Sequence, residues 1–265
     1  MTICIGVVCQ NRKRAIFASD RMLTSPGLSV EFEHNEPKYE NLSPTCVGLS
    51  AGEAMPVTEL FDEVRKIVSS KASPTIKEIA DLVSESLRMC KMKIVEEKYF
   101  KPRSLTIQTY LQGQRHLNEN VVLRLERAIE GERFGMINMV VGVDKYGAHI
   151  YEVADPGHSE CYQRLGFHAI GSGLPHAVST FISHDFTPSM DLKKAVYVTY
   201  EAKKNAENAP GVGVATDIGI ITEAKIKILS ADELNILDKI YIEKRRIFSE
   251  STSSIEAMIK ELPFG

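Results

Sequence analysis

The chain opens on an almost unbroken run of apolar and β-branched residues, Ile3-Cys4-Ile5-Gly6-Val7-Val8-Cys9 after Thr2. Continuous apolarity over this length suits a strand covered on both faces. A polar turn at residues 10–13 separates it from a second short run, Ala15-Ile16-Phe17-Ala18, which ends at Ser19-Asp20-Arg21. The pair predicts a hairpin with a loop of about four residues. The chain then crosses a polar stretch containing Pro26, Gly27 and Pro37 and returns at Tyr39. It next reaches another buried strand, Cys46-Val47-Gly48-Leu49-Ser50-Ala51-Gly52.

From there the period changes from strand to helix. Leu60, Phe61, Val64 and Ile67 share one face of a helix predicted over 57–69. Thr75-x-x-Glu78 is a capping box opening a second helix, which places Ile76, Ile79, Ala80, Val83 and Leu87 at helical spacing. Residues 96–134 are irregular and heavily charged, and are expected to form an insertion, helical in part over 120–130. Strands resume at 136–143 and 148–153 around a turn at 144–147. Phe167-His168-Ala169-Ile170 leads into Gly171-Ser172-Gly173. Helices are expected at 175–182 and at 191–206, the second with Ala195, Val198, Ala202 and Ala206 on one stripe. Strands at 212–222 and 225–229 follow, and Ser230-x-x-Glu233 caps a last helix to about residue 247.

Strands, two helices, strands, two helices and strands in that order argue for an α+β fold rather than parallel βαβ units. Strands buried on both faces imply stacked sheets with helices outside, so the expected architecture is a four-layer α-β-β-α sandwich. The domain is expected to span 2–229, with the insertion at 96–134 and a C-terminal helical extension at 230–265.

Composition narrows the function classes. The 265 residues are 43% hydrophobic and 25% charged, an ordinary globular balance. Lys and Arg number 32 against 35 Asp and Glu, a formal charge of −3, so there is no basic excess to recruit nucleic acid. The longest uncharged apolar stretch, 134–143, is far short of the ~20 residues of a membrane helix. No basic region precedes the N-terminal apolar run, which argues against a signal peptide. The five cysteines are odd in number and none forms C-x-x-C, which points to a reducing, cytoplasmic setting. The seven histidines show no metal-ligand spacing, and Gly211-Val212-Gly213 lacks the third glycine of a dinucleotide loop. Neither metal nor cofactor is expected.

Chemistry is concentrated at the start of the chain. Thr2 follows Met1, and removal of Met1 would leave a threonine carrying its hydroxyl and a free α-amine on adjacent atoms. Such an amine has an ordinary pKa of roughly 7.7–8.0. Near neutral pH it can accept the hydroxyl proton, directly or through water, which makes a nucleophile–base pair from one residue.

Thr2, then Ala18-Ser19-Asp20-Arg21, then Lys38, then Ala51-Gly52 follow one another in a way that resembles the proteasome β-subunit family of N-terminal nucleophile hydrolases. Lys38 precedes Ala51 by 13 positions, the spacing of that family. Ile170-Gly171-Ser172-Gly173 resembles the family's G-S-G segment. The likeness covers most of 2–95 and 136–229 and rests on the order of short motifs rather than on any one of them.

The resemblance implies roles residue by residue. Thr2 is the nucleophile, Lys38 lies near its hydroxyl, and Asp20 pairs with Lys38. Taken alone, Asp20 and Lys38 read as a surface pair, the commoner fate of such residues. Gly52 supplies a backbone N–H to the oxyanion, or else is a strand-end turn. Thr24 pairs main-chain groups with an extended substrate. Ser50 and Ala54 line the first specificity pocket, with Glu53 at its rim. Ser172 bonds near the nucleophile's amine. Glu207 takes the place of a family aspartate, but Pro210 stands where the family has a serine. The implied activity is amide or peptide hydrolysis by a homo-oligomeric ring or stack acting on a peptide or protein. The alternatives are a non-catalytic assembly subunit and an enzyme of another amide, such as a transpeptidase or small-amide hydrolase.

Overall fold

The structure is a computed structural model and describes residues 2–25, 30–52, 55–133 and 135–259. It is an α+β chain whose strand pairs are antiparallel. It separates into two compact units, Met1–Lys227 and Ile228–Gly265, two residues before the expected boundary at 229.

The first sheet has the order β10-β1-β2-β11-β12: Phe167–Ile170, Cys4–Cys9, Arg14–Ser19, Asp217–Ile221 and Ile226–Ile228. The N-terminal strand is therefore internal, paired with its hairpin partner on one side and with β10 on the other. All six of its residues are buried, as its unbroken apolarity requires. The second sheet has the order β5-β6-β7-β8-β9: Tyr39–Ser43, Cys46–Gly52, Met136–Asp144, Gly147–Ala154 and His158–Cys161. A separate two-stranded ribbon, β3 (Met22–Ser25) with β4 (Val30–Glu33), occupies the stretch expected to be a polar crossing.

One cluster of buried side chains draws on both sheets: Cys4, Val8, Ala15 and Phe17 from the first, and Val47, Leu49, Met139, Val141 and Ile150 from the second. Gly6 lies within this contact. A Cβ there would stand 2.8 Å from Met139 Sδ and from Val141 Cγ2, so glycine sets how closely the sheets approach.

A second cluster joins Leu42, Cys46, Met136, Val140 and Val153 to the inner faces of α1 (Met55–Ser69) and α2 (Ile76–Val95). The residues on α2 are the apolar stripe seen in the sequence, and both bonds of the Thr75–Glu78 capping box are made. Helices α5 (Leu174–Ser183) and α6 (Leu192–Ala206) pack against β10, β1 and β2.

Three expectations change. Residues 96–131 are helical almost throughout: α2 continues through short π and 3₁₀ turns into α3 (Ile107–Gly113) and α4 (Glu119–Gly131). These close on a small core of Val95, Phe100, Tyr110 and Leu125. The helix expected over 120–130 is present as α4, while the pieces over 96–116 are too short to show a periodic face. The strand expected at 212–222 begins only at Asp217, because the amides of Gly213 and Ala215 are spent on the side chains of Asp20 and Glu33. The last helix, α7, runs Ala231–Ile259, beyond residue 247, with Arg246 paired to Glu243 and Glu250 along its surface. Among the described residues no helix is long and apolar enough to cross a membrane.

Candidate active site

The β1–β2 hairpin sets Cys4 opposite Ser19, so Thr2, just before β1, meets Asp20, just after β2. The Asp20 side chain is fully buried, and a carboxylate is held there only if donors replace water. Five do. Oδ1 accepts from the Thr2 hydroxyl, from the Ile3 amide at 3.1 Å and from Lys38 Nζ at 2.8 Å. Oδ2 accepts from the Met22 amide at 3.2 Å and the Gly213 amide at 2.8 Å.

Lys38, one residue before β5, places its ammonium against Asp20 and also donates to the Thr2 hydroxyl oxygen. The Thr2 Oγ1 thus donates a hydrogen bond to a carboxylate and accepts one from a cation. A cation so placed favours the alkoxide over the alcohol. Its approach to the site is fixed by Arg21, whose guanidinium grips both oxygens of Asp217 on β11 at 2.6 and 2.8 Å. The same guanidinium reaches the Asn35 carbonyl in the segment leading to Lys38.

The backbone of Thr2 is held from the other side by the Gly171-Ser172-Gly173 turn. Thr2 N–H donates to Ser172 Oγ at 3.3 Å, and the Thr2 carbonyl accepts from the Gly173 amide at 3.3 Å. Ser172 Oγ also reaches the Thr2 carbonyl at 3.4 Å and the Pro210 carbonyl at 3.1 Å. Gly171 has φ +100°, and a Cβ on it would fall 2.2 Å from the Thr2 carbonyl oxygen, so only glycine fits. Pro210, which has no hydroxyl to offer, takes part through its carbonyl.

Thr2, Asp20, Lys38 and Ser172, named from the sequence, are therefore brought together. Glu207 stands one step away. Its two oxygens are taken by Lys203 at 2.7 Å and Lys204 at 2.8 Å, while the Thr2 nitrogen contacts Ser172. Gly52 has φ +115°, and a Cβ there would lie 1.7 Å from the Gly135 carbonyl; the approach of the strand β7 entrance demands glycine at this position. Ser50 lies close by: its carbonyl accepts from Cys4 Sγ at 3.5 Å, joining the end of β6 to β1 two residues from Thr2. Thr24 pairs in register with Glu31 in the β3–β4 ribbon. Glu53 and Ala54 lie outside the described residues.

Cys4 is the other nucleophile-bearing residue near the cluster. Burial pushes its thiol up to about 12 against a partial opposing effect of Lys38, so it stays protonated at neutral pH and is inert. The histidines His149, His158, His168 and His184 each pair with a carboxylate, of Asp144, Glu160, Glu152 and Glu201. No group of three or more metal-ligating side chains occurs among the described residues.

Sequence reasoning missed Lys203, Gly213 and Asp217. For Lys203 a signal existed: it follows Thr199 by four and precedes Glu207 by four, beside the small-residue stripe of α6. Compared with known proteins, the chain matches no family model and no curated protein.

Proposed function

We propose that this chain is an N-terminal nucleophile amide hydrolase similar to proteasome β subunits, built as a four-layer α-β-β-α sandwich, with Thr2 as its nucleophile. The observation that carries the reading is the Thr2 hydroxyl, buried between the Lys38 ammonium and the Asp20 carboxylate while Ser172 holds the Thr2 nitrogen. Removal of Met1 turns that nitrogen into a free amine. The amine takes the hydroxyl proton as Oγ1 bonds to the substrate's carbonyl carbon. The Gly52 N–H serves the resulting oxyanion. Collapse breaks the C–N bond, the leaving amine departs with the proton, and an ester remains on Thr2. Water, deprotonated by the same amine, then releases the acid. The Lys38 ammonium stabilises negative charge on Oγ1, and Asp20 keeps Lys38 aimed.

The substrate in this reading is an extended peptide, with Ser50 at the first side-chain pocket, and the working form is a homo-oligomer. A second reading, a non-catalytic assembly subunit, is favoured by Pro210 at a hydroxyl position and by the engagement of Glu207 with Lys203 and Lys204. Intact mass after incubation with a β-lactone separates them. The hydrolase reading expects a chain lacking Met1 with one adduct, mapped to Thr2 and absent from Thr2→Ala. A chain that retains Met1 and takes no adduct sinks it.

A further inference from the structure

We propose that Lys203 is a positioning residue that holds the 213–214 segment against Asp20 and so aims the Asp20 carboxylate at Thr2 and Lys38. The inference rests on the hydrolase reading for its catalytic consequence, though not for its geometry.

The Lys203 side chain is completely buried on α6. An ammonium in such a place is tolerated only when its N–H groups are all bonded. They are: Nζ donates to Glu207 Oε1 at 2.7 Å, to the Gly213 carbonyl at 2.8 Å and to the Val214 carbonyl at 2.8 Å. With three acceptors it has no proton position open, so it is a fixed cation rather than a base. Burial pulls its pKa down, and Glu207 works in the opposite direction.

A lysine serving only as an ion-pair partner would need Glu207 alone, and Glu207 already has Lys204 on its other oxygen. What Lys203 adds is the pair of backbone carbonyls. Both lie in the segment whose Gly213 amide donates to Asp20 Oδ2. Gly213 therefore faces the cation with its carbonyl and the carboxylate with its N–H. A Cβ on it would come 2.5 Å from Glu33 Oε1 and 3.1 Å from Met22 Cβ, so the segment has no slack on that side. These residues make no sheet ladder before Asp217, which leaves Lys203, Asp20 and Glu33 to hold them. With Oδ2 pinned by Gly213 and Met22, Oδ1 is the oxygen left for Thr2 and Lys38.

The test compares the full chain with Lys203→Met and with Lys203→Met/Glu207→Leu, the second leaving no buried charge unpaired should the first fold poorly. Amide exchange read by mass spectrometry should lose tenfold or more protection over 208–216 in both variants, and also at Ile3 and Met22, while the centre of the second sheet keeps its own. The rate of β-lactone capture at Thr2 should fall tenfold or more with little change in probe affinity, and its pH midpoint should move. Unchanged exchange over 208–216 overturns the proposal. So does a lowered melting temperature with an unaltered capture rate and pH profile, since that is a purely structural lysine. If the wild-type chain itself takes no adduct, the hydrolase reading falls, and exchange at 208–216, Ile3 and Met22 alone decides whether Lys203 positions Asp20.

Discussion

The same three groups, a hydroxyl, a carboxylate and an ammonium, meet twice in this molecule. At the first meeting Thr2, Asp20 and Lys38 converge at the ends of strands. At the second, on the helical insertion, Tyr99 donates to Glu132 and Lys98 donates to both Glu132 oxygens at 2.7 and 2.9 Å. The surroundings differ. The Lys98 side chain is 56% exposed, whereas that of Lys38 is 11% exposed and that of Asp20 fully buried. Glu132 takes its bonds from the side chains of Lys98 and Tyr99; Asp20 takes three of its five from backbone amides. The bond to Glu132 raises the Tyr99 pKa above its ordinary 10.0, which holds the proton more firmly. In both places the ammonium also reaches the hydroxyl oxygen itself. A hydroxyl, a carboxylate and an ammonium thus meet beside a largely exposed lysine in one place and in a buried site lined by backbone amides in the other.

The largest expected effect breaks the comparison outright. Thr2→Ala should reduce amide turnover or lactone capture by roughly 10⁴-fold or more, with the melting curve nearly unchanged, while Tyr99→Phe leaves both alone. Equal capture by Thr2→Ala and wild type would remove Thr2 from the mechanism.

Lys38→Ala comes next. It should slow capture by about 10²–10³-fold and destabilise the fold by up to about 3 kcal/mol, because Asp20 loses its charged partner. Lys38→Arg should not restore the rate, since a planar guanidinium cannot take the place of a compact ammonium between two oxygens. Lys98→Ala is the matched control: capture should match wild type, and the melt should shift only slightly through loss of the exposed pair with Glu132. If the two lysine variants behave alike, the distinction drawn here is void.

Gly171→Ala tests rigidity rather than charge. It forces a side chain into a left-handed backbone and onto the Thr2 carbonyl, and should cost about 1–3 kcal/mol in chemical denaturation, with capture slowed as Thr2 is displaced.

The smallest effect lies at the insertion and in acid. The bonds from Lys98 first, and Tyr99 second, hold the Glu132 carboxyl below its ordinary 4.5. A depressed carboxyl contributes stability that is present above 4.5 and is lost as pH falls through the lowered value. Glu132→Gln should therefore flatten the acid limb of stability against pH while leaving capture untouched. An acid limb identical to wild type would show that the surface trio carries no linkage.

How much of this was legible in the sequence follows from how local each feature is. Thr2 and Asp20 lie at the ends of one hairpin, so a pattern of two apolar runs and a short turn already sets them together. Lys38 and Ser172 were reached through motif order, since no periodicity could place Ser172 beside a residue 170 positions earlier. Lys203 escaped because a lysine on an amphipathic helix ordinarily points to water, and only the tertiary setting shows it facing inward. The 212–216 segment reads as strand because Val212 and Val214 alternate with small residues, yet its amides serve Asp20 and Glu33. The insertion looked irregular because its core residues Phe100, Tyr110 and Leu125 lie on separate helical pieces and close on Val95 at the end of α2.

The internal position of β1 carries a consequence for biosynthesis. Thr2, Asp20 and Lys38 lie close together in the sequence and are made long before their partners. Yet β1 needs β10 on its open edge and β2 needs β11, and the Gly213 amide that pins Asp20 comes later still than β10. At a translation rate of about 5–20 residues per second, the start of the chain waits roughly 10–40 s for those partners to be made. Through that interval the threonine is an ordinary side chain on a nascent polypeptide. On the hydrolase reading, Thr2 gains its Asp20–Lys38 setting only once β10, the Gly213 segment and β11 have been made.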